Sequence, residues 1–285
     1  MTDSTPSITP PSVHVRAIIT WTAIFPLVTM GFYAIRPFAS DWSPILRAFV
    51  LSIVVVPLAV YLVVPNLMRL YGKLSVKKMD SRDWDKRYES ASNIWSLTPN
   101  EFVVEYLEDL PVGSMIDLAG GEGRNALWFA SRGWEVENVE FSKVALEKFA
   151  DRALKENLEI LCKSTHSDVA ENPQYALREV DLGVIAYLQI DAAELSCAIQ
   201  SLISNIKSGG TFFGIWHARE NLTGGYGGPQ DPGVLPTKEE MRSALEQSGI
   251  PNALVELRER HVEVGTTVRT AIDLVVVATK PWHSK

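Results

Sequence analysis

The stretch MIDLAGGEGRNA, residues 115–126, decides how this 285-residue chain is read. Met115, Ile116, Leu118 and Ala119 make a short apolar run of the kind that fills a buried strand. The run ends in Gly120, Gly121 and Gly123, and a helical pattern begins near Arg124. A strand that passes through glycines into a helix places free N–H groups and a closely approachable backbone at one spot. An acid, Asp117, stands inside the strand just ahead of that turn.

Working outward, short apolar runs alternate with amphipathic segments. Strands are expected at 114–119, 134–140, 158–163, 180–186 and 210–217, with helices at 124–132, 143–156, 192–206 and 238–248. Such alternation predicts a parallel sheet covered on both faces. The segments 254–264 and 267–280 depart from it, because only Gly265 and Thr266 separate them. A parallel crossover needs a dozen or more residues, so this pair should be antiparallel. The expected fold is α/β: a Rossmann-like, seven-stranded, mostly parallel sheet with an antiparallel C-terminal strand.

In open α/β sheets the ligand lies beyond the carboxyl ends of the strands. About 20 residues past the turn, Glu140 ends the next strand, where a carboxylate can accept from both ribose hydroxyls, and Phe141 can lie against an adenine. Two nucleoside cofactors compete. Gly121-x-Gly123-x-x-Ala126 fits the NAD pattern, which would make the chain an oxidoreductase. Asp117 argues against it, since that strand position is normally apolar, and Arg124 and Asn125 occupy the helix start that a pyrophosphate needs. S-adenosylmethionine fits better: Asp117 can answer its ammonium, and backbone N–H groups with Arg124 its carboxylate.

The segments DLAGGEGRNA and RGWEVENVEFS resemble class I S-adenosylmethionine-dependent methyltransferases, in particular the tellurite-resistance and thiopurine-type bacterial branch. The likeness extends through WDKRYESASNIWSLTPNEFV upstream and SDV, VIAYLQID, IKSGGTFFG and TAIDLVVVA downstream. Gly120 stands where that branch commonly has cysteine, and Glu140 where it often has aspartate. The resemblance implies that Asp117, Ala119, Gly121, Gly123 and Arg124 line the methionine end and that Glu140 takes the ribose. It implies Phe141, Ser167, Asp168 and Val169 around the adenine, with Ala186 and Tyr187 under the sulfonium. Trp84, Tyr88 and Trp95 would form a lid. The branch spans metalloids, thiols and many small molecules, so the acceptor class stays open.

The segment WHARENLTGGYGGPQDPGVLPT, residues 216–237, follows the fifth strand and is long for a loop in a compact domain. It is expected to cover the acceptor, with His217, Arg219 and Tyr226 as substrate-binding candidates. His217 and Tyr187 are the candidates for a catalytic role. The D/N-P-P-Y/F run of adenine-amine methyltransferases is absent after the fourth strand, where AYLQID stands, which argues against DNA-adenine methylation. A tethered protein that binds the donor without catalysis is the non-enzymatic alternative.

A formal net charge of −7 with no basic stripe argues against general nucleic-acid binding. Cys162 and Cys197 are expected to be reduced and buried, and no Cys/His spacing suggests a metal. Near the N-terminus the language changes. Residues 17–35 and 48–68 are uncharged runs of about 20 residues, enough as helix to cross the hydrocarbon core. Pro26 and Pro57 should kink them. Arg69, Lys73, Lys77 and Lys78 follow the second run, so the positive-inside rule puts the downstream chain in the cytosol. This hairpin resembles the two-helix tails of some bacterial antibiotic-biosynthesis-monooxygenase-like proteins, a likeness that implies an anchor. The expected organisation is a tail (1–16), a transmembrane hairpin (17–70), a linker and lid (71–98) and a methyltransferase domain (99–285), with the bilayer and a small-molecule acceptor as partners.

Overall fold

In the computed structural model, which describes residues 13–75, 80–170, 173 and 175–282, the chain divides into a unit at Ile8–Lys78 and one that takes in Met79–Lys285. The first unit contains helices α1 (Val13–Ile35) and α2 (Pro44–Leu58), a π-helical turn (Ala59–Val63) and α3 (Val64–Ser75). Val13–Ile35 and Pro44–Met68, 23 and 25 residues, are each long and apolar enough to cross a membrane. Both begin earlier than the uncharged runs suggest. Ser43 accepts from the Leu46 N–H and Pro44 opens the helix, so the cap and not the first apolar residue sets the boundary. Pro57 lacks the N–H that a regular turn needs, and the π turn follows it directly.

Between α1 and α2 the seam is small: Ala23 and Ala59 are buried, and an added Cβ on Gly31 would come 2.6 Å from Leu51. Thr20, Thr22, Thr29 and Ser52 donate back to carbonyls of their own helices, so these four hydroxyls need no water. The tail up to residue 12, and Lys77 and Lys78, lie outside the described residues.

The second unit starts with α4 (Ser81–Glu89) and α5 (Glu101–Leu107). Then come β1 (Ser114–Leu118), α6 (Arg124–Ala130), β2 (Glu135–Glu140), α7 (Lys143–Lys155), β3 (Cys162–His166) and β4 (Val180–Ala186). The chain continues through α8 (Ala192–Ser204), β5 (Ile206–His217), a short α9 (Asn221–Gly224), α10 (Lys238–Gln247), β6 (Ala253–Val264) and β7 (Thr267–Thr279). The sheet order is β3-β2-β1-β4-β5-β7-β6. β1 to β5 pair in parallel and β7 runs antiparallel to both of its neighbours. The two-residue link forces the reversal, as expected. One face buries Ile199, Leu202, Phe212 and Trp216, and the other Phe129, Phe149 and Phe213.

Two expectations need correction. The third strand is Cys162–His166 and not 158–163, because pairing with β2 runs from Val136↔Cys162 to Glu140↔His166. Leu158 and Leu161 pack against the core as lead-in, and the edge strand itself is more polar than its approach. Both cysteines are free, but Cys197 lies exposed on α8 and Cys162 is half-buried.

Candidate functional site

The turn after β1 alternates left-handed residues: Ala119, Gly121 and Gly123 have φ of 57°, 58° and 73°. The end of β2 grips it. Ala119 N–H donates to Val139 O at 2.7 Å, Asn138 Nδ2 to Gly121 O at 2.9 Å, and Gly121 N–H to Glu140 Oε2 at 3.0 Å. The two glycines are needed for different reasons. A Cβ on Gly121 would come 2.7 Å from the Tyr88 hydroxyl, on the open side of the turn. A Cβ on Gly123 would come 2.1 Å from the Phe149 ring, so Gly123 lets α6 close on α7.

Asp117 is fully buried. Ala126 N–H donates to its Oδ2 at 3.2 Å, and Oδ1 has no hydrogen-bond partner. Burial pushes its carboxyl up to about 7. Arg124, at the start of α6, is lowered by burial; its Nη1 donates to Ser96 Oγ at 3.0 Å, and it has no carboxylate at ion-pair distance among the described residues. A buried acid with one oxygen lacking a hydrogen bond and a guanidinium without an ion pair, close enough to feel each other's charge, together match a zwitterion, ammonium toward the first and carboxylate toward the second.

Glu140 is buried, and its two oxygens accept the N–H groups of Gly121, Phe141 and Ser142, each at 3.0 Å. Burial still pushes it up to about 7, against those three hydrogen bonds. Next to it, Ser167 N–H donates to Glu140 O at 3.1 Å and Val169 is buried. Phe141 is half-buried, and Asp168 is exposed with its Oδ1 accepting Ala170 N–H at 2.9 Å.

The segment upstream of α5 is stitched over this turn. Lys148 Nζ donates to the carbonyls of Tyr88, Ala91 and Ser92 and to Glu122 Oε1. Glu122 Oε2 accepts the N–H groups of Ile94 and Trp95, and Asp85 accepts from Ser142 Oγ. Tyr88 is buried, accepting from Trp95 Nε1 at 3.4 Å, while Trp95 stays 39% exposed. The Arg87 guanidinium lies over both Trp84 and Trp95.

Ala186 and Tyr187 end β4 on the same rim. Tyr187 has φ 60°, donates its hydroxyl to Asp273 Oδ2 at 2.8 Å and accepts from Asn100 Nδ2 at 3.2 Å. Arg260 Nε donates to the same Asp273 oxygen at 2.7 Å. His217, at the end of β5, places Nδ1 3.1 Å from Asp273 Oδ1, with its ring 5.0 Å from the Tyr187 ring. Arg219 points elsewhere: it pairs with both oxygens of Glu240 at 2.8 Å and donates to Leu235 O, which ties the loop to α10. Tyr226 is half-buried, its N–H on Thr270 O at 2.8 Å. Asn221 pins the loop further, accepting from Ile272 N–H and donating to Gly227 O.

Asp273, Arg260 and Asn100 are the members that residue-by-residue reading of the sequence missed. Asp273 carried a signal, an acid within the apolar run TAIDLVVVA. Among the described residues, no group of His, Cys, Asp and Glu could hold a metal ion.

A thiopurine S-methyltransferase (TPMT) family model matches residues 79–194, and a Y2318 C-terminal domain model matches residues 10–74. No curated protein sequence matches the chain. A structure solved in work on the conversion of a disulfide bond into a thioacetal group during echinomycin biosynthesis is 15% identical, with a TM-score of 0.56 over 72% of this chain and 93% of that one. Phosphoethanolamine N-methyltransferase 2 of Haemonchus contortus, in complex with phosphomonomethylethanolamine and S-adenosylhomocysteine, is 14% identical, with a TM-score of 0.54 over 72% and 61%. TehB from Haemophilus influenzae is 15% identical, with a TM-score of 0.50 over 70% and 66%. At these identities the structures share the fold.

Proposed function

We propose that the chain is an S-adenosylmethionine-dependent methyltransferase that carries a methyl group to a small acceptor met at a membrane. The thiopurine S-methyltransferase family model over residues 79–194 and the shared fold support this reading. The observation that carries the donor assignment is the pair of groups at the turn, Asp117 with Oδ1 lacking a hydrogen bond and Arg124 without an ion pair among the described residues. In this reading Asp117 and Arg124 hold the amino-acid end of the donor, with Ala119, Gly121 and Gly123 lending backbone. Glu140 takes the ribose, and Phe141, Ser167, Asp168 and Val169 frame the adenine. Ala186 and Tyr187 lie beneath the sulfonium, and Trp95 closes above.

When bound, the donor supplies an electrophilic methyl on a positively charged sulfur. The chain's own part is to hold donor and acceptor in line, which can supply most of the acceleration. In this reading His217 and Tyr226 contact the acceptor, and Arg219 ties the loop that carries Tyr226 to α10. On the same reading the hairpin anchors the enzyme, supported by two apolar helices of spanning length, and the cations after the second run put the catalytic unit on the cytosolic side. An acceptor that partitions into lipid follows from that location.

Calorimetric titration of the full chain with S-adenosylmethionine and with NAD tests the assignment. Binding of the first and none of the second is expected, and NAD binding weakened by changing Glu140 would overturn it.

A further inference from the structure

Asp273 is a fully buried carboxylate in the centre of an apolar strand. A charge is costly there unless its partners are well placed. The register supplies them: His217 and Asp273 are directly opposed across β5 and β7. Oδ2 is taken by Tyr187 and Arg260. Oδ1 lies 3.1 Å from His217 Nδ1, a close contact short of a well-aligned hydrogen bond, and neither atom has a hydrogen-bond partner among the described residues. Burial pushes the Asp273 carboxyl up, but His217 and Arg260 more than offset this, so it stays ionised.

The His217 ring is fixed from other sides as well. The His217 backbone N–H donates to Gln189 Oε1, and Gly228 packs so closely on the ring that a Cβ there would come 2.7 Å from it. Its side chain keeps 15% exposure, on the rim shared by the β1 turn and Tyr187, and no hydrogen bond occupies Nε2 among the described residues. A carboxylate behind Nδ1 holds the proton on that nitrogen and leaves Nε2 as a base.

We infer that His217 is the general base for an acceptor with a weakly acidic hydroxyl, a phenol or enol, and that Asp273 is its positioning residue, itself held by Arg260 and Tyr187. This rests on the donor site proposed above. A thiol with a pKa of about 8.5 is already a few per cent thiolate at pH 7 and needs little help. A phenol with a pKa of about 10 is only about one part in a thousand ionised, and a positioned base can supply about 10²–10⁴-fold. In the step, the hydroxyl proton passes to Nε2 while its oxygen forms the new bond to the methyl carbon. The S–C bond breaks with its electron pair on sulfur, which removes the sulfonium charge. The imidazolium, paired with Asp273, then returns its proton to solvent.

The test uses the full chain in detergent with radiolabelled donor and three probes: para-methoxyphenol, para-nitrophenol and thiophenol. His217→Ala should cut transfer to para-methoxyphenol by about 100-fold, and far less for para-nitrophenol, which ionises unaided. Donor binding should be unchanged and added imidazole should restore part of the loss. Asp273→Asn should move the acidic limb of the kcat/KM profile for para-methoxyphenol to lower pH. The groups bearing on that profile are Asp273 of β7, Arg260 of β6, Tyr187 after β4, and Arg124 of α6, whose guanidinium lies 5.9 Å from the Tyr187 ring. A second readout needs no turnover: para-nitrophenol should bind the donor-product complex as phenolate in the wild type and less so in His217→Ala. Methylation of thiophenol alone, equal losses on both phenols, or the same bound ionisation with and without His217 would overturn the inference while sparing the donor site. Failure of the wild type to bind the donor would overturn the donor site itself.

Discussion

Tyr88 and Gly121 meet face to face across the glycine turn. The Tyr88 hydroxyl stands where the first atom of a side chain on Gly121 would go, 2.7 Å from the ideal Cβ position. The lid's fit over the turn therefore depends on the bare glycine. Gly121→Ala should destabilise the chain by roughly 1–2 kcal/mol through its φ of 58°, and should weaken donor binding. Adding Tyr88→Phe removes the hydroxyl contact but not the backbone strain, so it should recover only part of the loss. Thermal unfolding and calorimetry of the two single variants and the double variant check this; full recovery would mean that the backbone is not strained.

Asp117→Asn should weaken donor binding by about 1.5–3 kcal/mol, the range for a hydrogen bond to a charged group. The carboxyl is held at about 7 in the folded chain, above its ordinary value of 3.8. The folded state thus binds more protons, and this group's stabilisation is complete below about pH 4 and lost as pH rises toward 7. A donor ammonium would favour the ionised form, so binding near pH 6 should release protons. Titrations in buffers of different ionisation enthalpy measure that release, and Asp117→Asn should diminish it.

Glu140 has a structural duty besides any ribose contact, since it accepts three backbone N–H groups. Glu140→Ala should lower both the melting temperature and donor affinity, the latter by about 1.5–3 kcal/mol. Glu140→Gln keeps one carbonyl oxygen, the acceptor for Phe141 and Ser142, and should retain most of the stability. Equal effects of the two variants on stability would show that these hydrogen bonds contribute little.

The hairpin and the catalytic unit should separate cleanly. A shortened chain of residues 80–285 retains the whole sheet and every site residue, so it should be soluble and bind the donor as tightly as the full chain. The full chain should resist carbonate extraction from membranes. Release by high salt alone would reduce the hairpin to a peripheral attachment.

The parallel half of the sheet was legible because each strand–helix alternation is a local pattern. MIDLAGGEGRNA placed the turn, and the two-residue gap at Gly265 and Thr266 placed the reversal. The third strand slipped because an edge strand is fixed by its partner's hydrogen bonds more than by its own hydrophobicity, and LEILCK was the more apolar run. Arg219 reads as a ligand group in sequence, but its destination, Glu240, lies on a later helix. The pairing of His217 with Asp273 is register information, and register across an antiparallel junction cannot be read from either strand alone.

The interposed position of β7 also sets an order of events. It is the last strand in the sequence, yet it lies between β5 and β6. Until it enters, β5 has an open edge, β6 has no neighbour, and His217 has no carboxylate. The two apolar helices, by contrast, precede every strand in the chain and are synthesised before the sheet. On the anchoring proposed above, the chain would reach its membrane before its final strand brings Asp273 to His217.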